Sequence, residues 1–126
     1  MTGIDKVGSI TVAVRDQDEA LTWFTEKLGF RKTMDRPGPG MRFLAVCARH
    51  QPDLQIILAP WFPDLVGKNA TAILHTSDCQ GTYEELKARG VEFTESPQPR
   101  PFGLQAIFKD LYGNSYALLE VKGSPR

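Results

Sequence analysis

Hydrophobic and polar positions alternate along residues 7–14, with Ile10, Val12 and Val14 on one side and Ser9, Thr11 and Ala13 on the other. That two-residue period predicts a half-buried strand. Asp16 and Asp18 follow at helix-capping positions, and Ala20, Leu21, Trp23, Phe24 and Leu28 then recur at helical spacing. Gly29 is the expected left-handed stop. Residues 30–34, 41–48 and 54–59 read as three further strands, separated by turns over 36–40 and 50–53. The same order then returns: a strand over 71–76, a cap at Asp78, a helix from about 80 to 89, a stop at Gly90, and strands over 91–95, 102–109 and 115–121. Between the last three lie a proline-rich loop, 96–101, which cannot donate ladder hydrogen bonds at its prolines, and a turn over 110–114.

The chain therefore nearly repeats itself. Asp16 and Asp78 lie 62 positions apart and the two stop glycines 61 apart. Two βαβββ copies predict an α+β fold built by pairing modules around a cavity. The expected organisation is one domain over residues 1–126, with module 1 at about 5–60, a linker at about 60–69 and module 2 at about 70–121. The linker holds Pro60, Trp61, Phe62 and Pro63. Either both aromatics plug the junction between the modules, or, because adjacent residues of an extended segment point opposite ways, one packs on the chain and the other on a partner chain or a ligand. A homodimer is the expected assembly.

This order, the aspartate caps, the Leu28-Gly29-Phe30 helix exit and the ending FKDLYGNSYALLE resemble the vicinal oxygen chelate superfamily. That superfamily includes glyoxalase I, extradiol dioxygenases, fosfomycin-resistance enzymes and bleomycin-resistance proteins. The resemblance covers about residues 5–121 and departs in the last turn. There Asp110-Leu111-Tyr112-Gly113-Asn114 replaces the usual Asp-Pro-Asp-Gly-Asn. It implies that each module curls into half of an open, mixed barrel. It also implies metal ligands on the first and last strands of each module, at positions that fall on Ser9, Gln55, Thr71 and Ala117. None of these is a His, Asp, Glu or Cys. The expectation is thus a protein with no metal and no cofactor. His75 shares a face with Thr71 and Ile73 and is the only candidate acid or base; His50 falls in a turn.

Without a metal, the expected ligand-binding positions are Ser9, Thr11, Gln55, Ile57, Trp61, Thr71, Ile73, His75, Phe102 and Ala117, a lining of small polar and apolar groups. Alternation leaves open whether Arg42 or Phe43, and whether Phe102 or Phe108, faces the interior. The chain has 126 residues, 41% hydrophobic, with 15 basic and 15 acidic side chains. That balance argues against nucleic-acid binding. No apolar run reaches the ~18 residues of a membrane span, and no apolar leader opens the chain. Cys47 and Cys79 form no CxxC pair, so a reduced, cytoplasmic protein is expected. The expected function is binding or sequestering a small organic molecule, an antibiotic or a metabolite. One alternative is a lyase, isomerase or dioxygenase with atypical metal ligation or metal-free acid–base chemistry. Another is a protein-interaction module.

Overall fold

The computed structural model describes residues 3–5, 7–68 and 72–121. Two compact units divide the chain at residues 1–64 and 65–126. In the first, β1 (Ser9–Ala13), α1 (Gln17–Leu28), β2 (Arg31–Gly38), β3 (Met41–Cys47) and β4 (Gln55–Ala59) form a four-stranded mixed sheet with one helix. The spatial order is β1-β4-β3-β2, with β1 parallel to β4 and the other pairs antiparallel. A single helical turn at Pro63–Leu65 follows. The second unit repeats the design with β5 (Ala72–His75), α2 (Cys79–Ala88), β6 (Glu92–Arg100), β7 (Gly103–Lys109) and β8 (Ser115–Val121), in the order β5-β8-β7-β6. Neither sheet closes into a barrel, and the βαβββ order is as the sequence predicts.

Both helices begin where a short carboxylate can satisfy an orphan amide. Asp16 Oδ1 accepts from Glu19 N at 2.9 Å, and Asp78 Oδ1 accepts from Gly81 N at 2.9 Å. Gly29, at φ 73°, and Gly90, at φ 95°, stop the helices in the left-handed region. In the first unit α1 packs on β2, β3 and β4. Ala20 and Phe24 are buried there, as are Val12, Leu44, Val46, Ile56 and Leu58 of the sheet. The Val12↔Leu58 and Val46↔Ile56 register puts these sheet residues on one face. Gln17 ties helix to sheet, its Nε2 donating to Leu58 O at 2.9 Å and Arg42 O at 2.8 Å. In the second unit an aromatic chain fills the same role. Tyr83 of α2 meets Phe93 edge-on, Phe93 meets Phe108, and Phe108 stacks on Tyr116 at 5.2 Å.

The strands depart from the sequence reading at the prolines. Residues 36–40 read as a turn, yet Arg36, Pro37 and Gly38 continue β2 and only Pro39 and Gly40 turn. Residues 96–101 read as a loop, yet β6 runs through Pro97 and Pro99 to Arg100. The reason is position: β2 and β6 are edge strands, where a missing N–H faces no ladder partner. Register shifts at Lys32/Met34 and along residues 93–98 absorb the irregularity as bulges. Phe102, expected at the start of a strand, lies in the β6–β7 turn.

The repeat is also not constant. Phe30 N bonds back to Phe24 O, six residues away, while Val91 N reaches only five residues back, to Leu86 O. Val14 N pairs with Ala59 O, 45 residues on, and Thr76 N with Leu119 O, 43 residues on. The offset is thus 62 at the caps, 61 at the helix exits, 62 again between β3 and β7 and 60 at the last strands. Ala117 pairs with Ile73, as Ile57 pairs with Thr11, so the counterpart of Gln55 is Ser115 rather than Ala117. Because 62 and 60 are both even, Ala117 still lies on the face that corresponds to that of Gln55.

Candidate functional site

The sheet face of the first unit turned away from α1 is set by register. Thr11↔Ile57 and Ala45↔Ile57 align Thr11, Ile57 and Ala45 on it, and the pleat adds Ser9, Gln55, Phe43 and Cys47. From the edge strand, Arg31 lies opposite Cys47, Met34 opposite Ala45 and Arg36 opposite Phe43. The choice between Arg42 and Phe43, open in the sequence, is thereby resolved. Arg42 lies on the helix side, with Nη1 2.8 Å from Asp18 Oδ1 and Nε 2.8 Å from Asp35 Oδ1. The Arg42 guanidinium holds the Asp35 carboxyl below the usual carboxylate range.

At one end of this face Gln55 and Thr33 join across the sheet, Thr33 Oγ1 to Gln55 Oε1 at 2.8 Å. The bulge at Lys32/Met34 brings Thr33 there, and the small side chains of Ala45 and Cys47 leave the space between. At the other end Trp61 meets Phe43 edge-on, ring centroids 5.9 Å apart, and Phe62 follows at 6.5 Å from Trp61. Trp61 is half-buried, Phe43 is 37% exposed and Phe62 46% exposed. Gly38 makes room for this cluster: a Cβ there would come within 2.9 Å of the Phe43 ring. Phe43 and Gly38 were not among the expected site residues. The signal for them is the single cross-strand register, which alternation alone does not supply.

The second unit carries other expected residues on the corresponding face. Ile73 and His75 are exposed on β5, opposite Ala117 and Leu119, which are buried. Gln105 lies opposite Leu119, and Ile107 opposite both Ala117 and Glu95. Glu95 is ion-paired to Arg100, and Glu92 faces Lys109. Phe102 is exposed in its turn, whereas Phe108 is fully buried on the helix side. Thr71 lies outside the described residues. Ser9, Thr11, Gln55, Ile57 and Trp61 are therefore together on the first unit, and Ile73, His75 and Ala117 together on the second.

The last turn is a buried polar box. Asp110 accepts from Tyr112 N (2.8 Å), Asn114 N (3.0 Å), Asn114 Nδ2 (3.0 Å) and Tyr116 Oη (2.7 Å). Asn114 Oδ1 accepts from Gly67 N at 2.9 Å, which seats the preceding segment. A Cβ on Gly67, at φ 80°, would lie 2.9 Å from Tyr112 O. Burial, and then the Asp110 charge, push the Tyr116 hydroxyl well above the ordinary tyrosine range. The thiol of Cys79 is likewise raised by burial, with Glu120 adding to it, which makes it a poor nucleophile.

A divalent metal does not fit these donors. Among the described residues no group of three or more His, Cys, Asp or Glu side chains could hold one. Ser9 and Gln55 are neutral, Gln55 Oε1 already accepts from Thr33, and His75 has no second strong donor on its strand. No helix of the described residues is long and apolar enough to cross a membrane.

A family model described as the Glyoxalase/Bleomycin resistance protein/Dioxygenase superfamily matches residues 6–118. The chain is 33% identical over 123 residues to the uncharacterized protein YetH of Bacillus subtilis (strain 168), an alignment spanning 93% of this chain and 99% of YetH. Among solved structures, TnmS3, an antibiotic binding protein from Streptomyces sp. CB03234, aligns with a TM-score of 0.88 and 32% identity over 97% of this chain and 100% of TnmS3. UcmS2 aligns with a TM-score of 0.84 and 32% identity, over 94% and 99% of the two chains. On sequence and architecture alike, the chain belongs to the glyoxalase/bleomycin-resistance/dioxygenase superfamily.

Proposed function

We propose that this protein binds a small organic molecule on the helix-free sheet face of its first unit, without using a metal. The observation that carries the reading is the aromatic cluster of Phe43, Trp61 and Phe62. These rings stand partly in solvent at one end of a face floored by small and hydroxyl side chains, from Ala45 through Thr11 to Ser9 at the Gln55 end. Partly exposed aromatics next to a few polar groups are the ordinary make-up of a ligand site. The likeness to an antibiotic binding protein, TnmS3, makes antibiotics the first class to try. Exposed Phe62 suits a second copy of the chain, so a homodimer belongs to the same proposal. Two buried free thiols suit a reducing, cytoplasmic compartment.

The test is a thermal-shift screen of the purified protein against antibiotics and aromatic metabolites, followed by titration of hits into the wild type and Trp61→Ala. A ligand at one hundred times its Kd stabilises the fold by about 2.7 kcal/mol, so micromolar binders are visible. The expected result is a hit whose affinity falls at least about tenfold in Trp61→Ala, since loss of a stacked aromatic costs on the order of 1–3 kcal/mol. Hits that bind Trp61→Ala as tightly as the wild type would overturn the assignment to this face.

A further inference from the structure

We propose that the ligand is a planar aromatic acid, its ring against Phe43 and Trp61 and its carboxylate on Arg36. This rests on the binding face proposed above and adds the chemical class of the ligand. Its support is the distribution of charge over the four strands of the first unit. Their only carboxylate is Asp35, which stands opposite Leu44 on the helix side. There it is held by Arg42, with Lys32 3.6 Å away. The opposite face therefore has no strand carboxylate and two guanidinium groups, those of Arg31 and Arg36.

The two arginines differ in position. Arg31 lies at the Gln55 end, where its Nη2 approaches Cys47 Sγ at 3.8 Å. Arg36 lies at the aromatic end, directly opposite Phe43 in the β2–β3 register, so their Cβ atoms are neighbours on one face. Arg36 is exposed and, among the described residues, forms no ion pair. A fork of N–H donors beside two ring faces matches a carboxylate attached to a flat ring. A cationic ring would meet two like charges and no strand carboxylate. The second unit makes the contrast: on its equivalent face Glu95 pairs with Arg100 and Glu92 faces Lys109, so that face is charge-balanced.

The experiment titrates the full chain with anthracene-2-carboxylate and with its neutral carboxamide, by calorimetry at low and high salt, in the wild type, Arg36→Gln and Arg31→Gln. Expected is an affinity for the acid about tenfold or more above that for the amide, weakening with salt. Arg36→Gln should abolish that preference, weakening the acid far more than the amide, and Arg31→Gln should reduce it less. Equal affinity for acid and amide, or an unchanged preference in Arg36→Gln, overturns the inference. If the amide still binds and Trp61→Ala removes it, the binding face stands and only the acid class fails. If neither probe binds, the inference is overturned, and the broader reading is decided by the ligand screen. Melting temperatures of both arginine variants should match the wild type, because both side chains are exposed.

Discussion

The two units share an element order, a sheet topology and a pair of aspartate caps, and they put these to different uses. In the first, the helix-free sheet face holds partly exposed aromatics, hydroxyls and two arginines. In the second, the same face carries paired charges, and the investment lies in the core: four aromatics in series and a buried Asp110 box. Under the proposed function, duplicated architecture separates binding chemistry from structural anchoring. The strand orders are the same, so the difference lies in the side chains and in local register, β6 carrying one more irregularity than β2.

The largest test of that contrast replaces the central aromatic of each core. Phe24→Ala and Phe108→Ala both remove a fully buried ring and should each cost about 3–5 kcal/mol. Urea unfolding measures the cost, and hydrogen exchange reads which unit loses protection. Phe24→Ala should loosen the strands that carry Phe43, and so weaken ligand binding. Phe108→Ala should leave that face intact at temperatures where the chain stays folded. Equal loss of protection in both units from either variant would mean that the two cores act as one.

Next is the box that only the second unit has. Asp110→Ala leaves four donors without their acceptor and should cost about 3 kcal/mol, whereas Asp53→Ala, in the exposed turn of the first unit, should cost under about 0.5 kcal/mol. The Tyr116 hydroxyl adds a pH signature. Its folded pKa lies above the unfolded value near 10, so the folded state keeps a proton that the unfolded chain has lost. Stability is therefore full below about pH 10 and declines as the pH rises beyond it. Tyr116→Phe should flatten that decline, and ultraviolet titration should show one tyrosine resisting ionisation. A wild type whose alkaline stability curve matches that of Tyr116→Phe would break the assignment.

Much of this could be read from the chain. The caps at Asp16 and Asp78, the stops at Gly29 and Gly90 and the element order are local signals, and each survives in the fold. What could not be read depends on neighbours far away in sequence. Pro37, Pro97 and Pro99 look like loop residues until β2 and β6 are known to be sheet edges. Arg42 and Phe43 are interchangeable by alternation until Asp18, on the helix, claims the arginine. The one-residue shift at the helix exit and the two-residue loss before the last strand are invisible in the spacing of the caps, so Gln55 and Ala117 look equivalent until the register is known. The candidate site suffers most, because a binding face is defined by cross-strand register, and register is the least local property of a sheet.

The smallest effect gives the sharpest comparison, because only its sign matters. Both capping aspartates bond the amide three residues on, at Glu19 in one helix and at Gly81 in the other. In α2 the second carboxylate oxygen of Asp78 occupies the space of a side chain at position 81: a Cβ there would lie 2.3 Å from it. Alanine favours a helix over glycine by about 1 kcal/mol, and a lost cap costs about 1 kcal/mol. Gly81→Ala in the wild type should therefore change stability by close to zero, the helix gain offset by displacement of Asp78. In the Asp78→Ala background, which itself costs about 1 kcal/mol, the same substitution should stabilise by about 0.8–1 kcal/mol, since no carboxylate remains to displace. A four-variant cycle in urea measures the coupling directly. Asp16→Ala should cost the same about 1 kcal/mol, but position 19 already bears a side chain beside its cap, so Glu19→Ala should show no such dependence on the aspartate. If Gly81→Ala stabilises the wild type as much as it does Asp78→Ala, the two caps are equivalent, and the glycine is there for some other reason than room for its aspartate.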